Sequence, residues 1–143
     1  MKAVDTNVLV YAHREETARH AEAGRIVQAL ATGAEPWAVP WPCVYEFLRV
    51  VTHPRVFHPP TPVPLAWEAM RAVMGSPSVV LLSETGSHDE VLDRILGQAR
   101  PTGNMVHDAH IAALLVEHGV REILTSDADF HRFPGITATD PFR

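Results

Sequence analysis

The sequence predicts an α/β fold in which a mostly parallel sheet is covered by helices on both faces. Three observations carry this reading. Short apolar runs of strand length alternate with segments whose apolar residues recur at helical spacing. The 143 residues, 46% hydrophobic and 20% charged, suit one globular domain, expected to span 1–143. A chain of that length buries about two-thirds of its unfolded surface. Finally, Asp5 and Asp127 each end a predicted strand, on the rim where open parallel sheets bind ligands.

Taken in order, residues 2–5 form a strand and a helix follows from about Thr6 to His13. Residues 17–31 hold Ala23, Ile26, Val27 and Leu30 at helical spacing. Trp37 to Val39 is a second strand. Pro42, tolerated in a first helical turn, opens a helix through about His53, with Val44, Phe47, Leu48 and Val51 inward. The prolines between Pro54 and Pro62 exclude regular helix there. Ala66, Met70 and Val73 mark the core face of a helix from about Val63 to Met74, and Val79 to Leu82 is a buried strand. Ser87 and Glu90 spell a capping box before a helix with Val91, Leu92, Ile95 and Leu96 inside, which Pro101 and Gly103 stop. A helix from about Asn104 to His118 is ended by Gly119. Residues 122–126 and Ile136 to Thr139 are the last strands.

Composition excludes several classes. No apolar run approaches the roughly 20 residues of a membrane span, and the acid at position 5 interrupts any apolar leader, so the expected location is cytoplasmic. The single cysteine, Cys43, excludes an internal disulfide and a cysteine-based zinc site, and reads as a small core residue. A net charge of −5 is unusual for a nucleic-acid binder. Divalent ions held by some of the acids would offset most of it. All the basic residues except Lys2 are arginines, which suit bidentate phosphate contact.

Asp5, Glu46, Asp108 and Asp127 each interrupt a hydrophobic framework: KAVDTNVLVY, CVYEFLRVV, VHDAHIAALL and EILTSDADF. Clustered carboxylates without a counter-ion repel and raise one another's pKa values. An oxygen-only cluster suggests a hard divalent cation, Mg²⁺ or Mn²⁺, and metal-assisted phosphodiester cleavage. Each acid also has a structural reading. Asp5 suits a helix N-cap, and Glu46 could pair with Arg49. Asp108 in a first helical turn suits the helix dipole, and either Asp127 or Asp129 suits a turn. Other readings are weaker. His107–Asp108 and His88–Asp89 spell the dipeptide of HD-type metal phosphohydrolases, but that fold is all-helical and strands are expected here. His107 and His110, three apart on a helix, read as solvent-exposed or capping residues. A non-catalytic metal- or protein-binding module would use the same four acids.

With those residues laid out, the chain resembles a PIN-domain ribonuclease of the VapC toxin type. The resemblance rests on VDTNVLVYA, VYEFLRVVTHPRVF, GNMVHDAHIAALLVEHGV and ILTSDADFHRFPGI, and FHPPTPVPLAWEAM resembles a branch found in mycobacterial toxin sets. It implies a three-layer α/β/α sandwich and a metal-dependent endoribonuclease holding one or two Mg²⁺ or Mn²⁺ ions. It implies a tRNA or ribosomal RNA substrate, a VapB-like antitoxin that blocks the site, and a homodimer. By position Asp5, Glu46, Asp108 and Asp127 are the acidic quartet, Asp129 a further acid, and Thr6, Asn7, Asn104 and Ser126 the polar shell. Arg14, Arg49 and Arg55, with His58, are candidates for phosphate contact. Trp37 and Trp41 are expected in the core rather than stacked on bases.

Overall fold

The computed structural model describes residues 1–143. Its elements are β1 (Lys2–Val4), α1 (Thr6–His13), α2 (His20–Thr32), β2 (Trp37–Pro40), α3 (Trp41–Val51) and α4 (Val63–Met74). They continue with β3 (Val79–Leu82), α5 (His88–Ala99), α6 (Met105–Glu117), β4 (Glu122–Leu124), a 3-10 turn over Ala128–Arg132, and β5 (Thr137–Thr139). The sheet order is β3-β2-β1-β4-β5, and every pairing is parallel. All four residues of β2 are buried, as are Ala3 and Val4 of β1, so both faces at the sheet centre are covered.

Local chemistry explains most boundaries. Asp5 leaves the ladder with its N–H still bonded to Leu124 O at 3.0 Å, while its side chain accepts from Thr6 N at 2.8 Å and caps α1. Pro42 occupies the first turn of α3, where its missing donor would have had no partner. Gly119, at φ 69°, lets Val120 N donate to Leu115 O at 2.9 Å and closes α6. Helix α6 buries Ala109 and Ile111 to Leu115 in succession, because it is enclosed on more than one side.

Four expectations are corrected. Of the strand expected to be buried over Val79 to Leu82, only Leu82 is buried and Val80 is exposed, because β3 lies at the edge of the sheet. The capping box at Ser87 does not form: its φ −93°, ψ 1° is not the extended cap conformation, and no side-chain cap bond is made. Its N–H instead donates to Thr85 Oγ1 at 3.1 Å. Leu96 is exposed, since α5 is an outer helix that buries only the stripe of Val91 and Ile95. The strand expected over 122–126 ends at Leu124, where Thr125 and Ser126 turn toward the site.

Candidate active site

Where β1 and β4 run side by side at the centre of the sheet, their carboxyl ends open onto a cleft of about 950 Å³. Glu46 and Arg49 of α3, Asn104, His107 and Asp108 at the start of α6, and Asp127 and Asp129 after β4 line it. Asp108, Asp127 and Asp129 form the tight group: each places a carboxylate oxygen within 4.8 Å of the other two. Asp127 also accepts from Asp129 N at 2.9 Å, so the turn reading and the cluster reading hold together. Burial, then the charges of Asp127 and Asp5, push the Asp108 carboxyl up to about 7.

Asp5 lies deeper, 5% exposed, and does not line the open cleft. Its Oδ2 accepts from Thr125 Oγ1 at 2.7 Å and Asn7 Nδ2 at 3.1 Å. Burial raises its pKa, with the bonds from Thr125 and Thr6 opposing. Thr125 Oγ1 also accepts from Asn7 Nδ2 at 3.0 Å and from Asp127 N at 2.9 Å. Asn7 Oδ1 accepts from Ser126 N at 3.2 Å and completes the link between the ends of β1 and β4. Cys43 is wholly buried against Asp5, and burial raises its thiol well above the ordinary range, so it is not a poised nucleophile.

Glu46 of α3 meets the start of α6 in the cleft lining. Its Oε2 is 2.7 Å from His107 Nε2 and 3.8 Å from Arg49. The contact is short, but the ring N–H is not aligned on the carboxylate. His107 holds the Glu46 carboxyl below its usual range, and Glu46 in turn raises His107. The Thr6 hydroxyl is buried without a hydrogen-bond partner.

The family profile of the PIN domain matches residues 2–136. The chain belongs to the PIN-domain family. Ribonuclease VapC48 of Mycobacterium tuberculosis is 34% identical over 138 residues, 96% of this chain and 95% of that protein. VapBC2 from Rickettsia felis, solved bound to a DNA fragment from its promoter, matches with a TM-score of 0.68 at 15% identity, over 96% of each chain. Mycobacterium tuberculosis VapC20, a sarcin–ricin loop cleaving toxin, matches with a TM-score of 0.66 at 17% identity, over 95% of this chain and 98% of that one. These structural likenesses bear on the fold.

Several residues of this PIN domain stand elsewhere than the sequence suggested. Arg14 is not a cleft residue: it donates to Thr61 Oγ1 and Pro59 O, each at 2.9 Å, and lies 4.4 Å from the Phe57 ring centroid. It straps the proline-rich segment to the end of α1. Arg55, exposed on that segment, does not reach the cleft, and neither does His58. Trp37 is fully buried as expected, but Trp41 is half-buried on the cleft wall beside the exposed Tyr45, ring centroids 6.3 Å apart. Asn104 lines the cleft without capping α6 through its side chain. Sequence reasoning missed two residues. By its sequence His107 reads as solvent-exposed or capping; its position one turn from Asn104 is the available hint. Thr125 had no signal of its own, because its side-chain partners Asp5 and Asn7 lie far away in sequence.

Proposed function

We propose that this PIN domain is a metal-dependent endoribonuclease acting as the toxin of a toxin–antitoxin pair. The observation that carries the reading is the convergence of Asp108, Asp127 and Asp129, with Asp108 raised to about 7. Carboxylates crowded until one resists ionisation form a donor set that a hard divalent cation relieves. The residues therefore fit Mg²⁺ or Mn²⁺, as one or two ions. Asp108, Asp127 and Asp129 would hold the ion, and Asp5 and Glu46 would complete the negative field around it. When bound, it supplies Lewis acidity to the phosphate and acidifies water.

The chain's own groups do the rest. Thr6 N, Asn7 and Thr125 hold Asp5 in one orientation, so the negative field is set before substrate arrives. His107, kept charged to higher pH by Glu46, places positive charge or a proton beside the aspartates. Arg49, 67% exposed and only loosely paired with Glu46, is free to take a substrate phosphate. Tyr45 and Trp41 present aromatic surface on which an unstacked base can lie, which suits the loop of a tRNA or ribosomal RNA. A VapB-like antitoxin that covers this acidic cleft would silence the enzyme. The working form is a single-domain chain, assembled as a homodimer in the cytoplasm.

The test is cleavage of a tRNA and ribosomal RNA pool by the purified protein with Mg²⁺, Mn²⁺ or EDTA. Discrete, metal-dependent products that vanish in Asp108→Asn are expected. If the variant cleaves at the wild-type rate, Asp108 leaves the mechanism. If a folded, metal-binding wild type cleaves nothing, the cleft is that of a binding module.

A further inference from the structure

On the α5–α6 side of the cleft lies a second set of ligand-type side chains, distinct from the aspartates. Glu84 in the segment after β3, His88 at the start of α5 and His110 on α6 each place a ligand atom within 4.8 Å of the other two. His110 Nε2 is 2.6 Å from Glu84 Oε1, and the His88 and His110 rings meet edge to face with centroids 5.5 Å apart. Behind His88 stands Glu117, whose side chain is 0% exposed. Its Oε1 accepts from Thr85 N at 2.9 Å and Thr85 Oγ1 at 2.8 Å, and its Oε2 lies 2.6 Å from His88 Nδ1.

A carboxylate only accepts, so Glu117 keeps the proton on His88 Nδ1 and leaves Nε2 as the lone-pair nitrogen. A buried carboxylate behind an imidazole is the arrangement that orients metal-ligating histidines. Glu117 is itself fully satisfied by Thr85 and His88, so it holds the ring in place, while Glu84, half exposed, is bonded only to His110.

We propose that Glu84, His88 and His110 bind a borderline divalent transition-metal ion of the Zn²⁺ or Co²⁺ type, at a site separate from the carboxylate cluster. Two imidazoles and one carboxylate are a donor set for zinc, whereas Mg²⁺ prefers oxygen alone. Zinc bond lengths of about 2.0–2.2 Å place neighbouring ligand atoms roughly 3.3–3.5 Å apart in a tetrahedron. At present His110 and Glu84 stand 2.6 Å apart and all three ligand atoms lie within 4.8 Å of one another, so binding an ion requires the His110–Glu84 pair to open by under about 1 Å. Glu84 and His110 are both partly exposed on the cleft wall, leaving a fourth position for water. The ion would clip the segment after β3 and the start of α5 to α6, the helix whose first turn carries Asp108.

The proposal is tested by titrating metal-stripped protein with Co²⁺ in excess Mg²⁺, which occupies the oxygen site. One equivalent is expected to bind with the visible bands of a nitrogen-containing site, and Zn²⁺ is expected to displace it. Asp108→Asn retains these bands, while His88→Gln and His110→Gln lose them with helical circular dichroism unchanged. As a reading independent of any variant, X-ray absorption at the zinc edge of loaded wild type is expected to show two imidazoles. An all-oxygen shell, no stoichiometric binding, bands lost in Asp108→Asn, or bands kept in both histidine variants would overturn the proposal.

Discussion

The Thr125 hydroxyl sets the spacing of the acids at the end of the sheet. It donates to Asp5 and accepts from Asn7 and from the backbone of Asp127, so residues far apart in sequence share one oxygen. Thr125→Val keeps the shape but strands a buried carboxylate and an N–H. It is expected to lower stability by about 1–3 kcal/mol and to reduce cleavage at saturating RNA, read by urea denaturation beside initial rates. An unchanged midpoint would remove the hydroxyl from this role. Asp108 gives a second test. Its carboxyl sits at about 7 in the folded chain against 3.8 for the free side chain. A carboxyl raised on folding stabilises fully below its unfolded value, and that contribution is lost as pH rises through the folded value. The metal-free protein is therefore expected to melt lower at about pH 8 than at about pH 5, and Asp108→Asn to flatten the difference. Parallel curves for the two proteins in EDTA would contradict this origin.

Among the elements, α1 and α3 serve both the fold and the site. The residue that caps α1 is Asp5, so the helix N-terminus and the acidic pocket share one carboxylate. The end of α1 carries the opposite kind of residue. Arg14 bonds Thr61 and Pro59 and covers Phe57, fastening a segment that has no ladder or helix of its own. Arg14→Ala is expected to raise proteolytic nicking within residues 54–62 severalfold, since local opening governs cleavage of a folded chain. RNA hydrolysis should be unchanged. A loss of RNA affinity without new nicking would return Arg14 to the substrate. In α3, Glu46 faces the cleft one position before the core residue Phe47, so the helix packs and functions on adjoining faces.

For the molecule as a whole, strand order decides where the chemistry sits. The chain builds outward from β1 to β2 and β3, then returns to place β4 on the other side of β1. That reversal leaves a crevice at the carboxyl ends of β1 and β4, the switch point where open parallel sheets take ligands. Enclosed α6 brings Asp108 to the crevice from a rigid base, with Ile111 to Leu115 buried behind it. A cation bound to the folded state alone must stabilise it. At a hundred times its Kd, Mg²⁺ or Mn²⁺ is expected to add about 2.7 kcal/mol. Thermal melts should show the rise in wild type and its loss in the Asp108→Asn, Asp127→Asn double variant. An equal rise in both would place the ion elsewhere.

The sequence by itself determined the elements and the identity of the acids. Helical spacing, the prolines at 42 and 54–62, Gly119 and the acids at strand ends are local signals, written within a turn or a strand's length. It did not reveal that Ser87 fails as a cap, because that depends on Thr85 answering to Glu117, which lies on another helix. The pairing of His107 with Glu46, the bridge at Thr125 and the withdrawal of Arg14 from the cleft were likewise decided only by tertiary structure. A hydrogen bond or ion pair acts over a few ångströms, and which side chains come that close is set by strand order and helix packing.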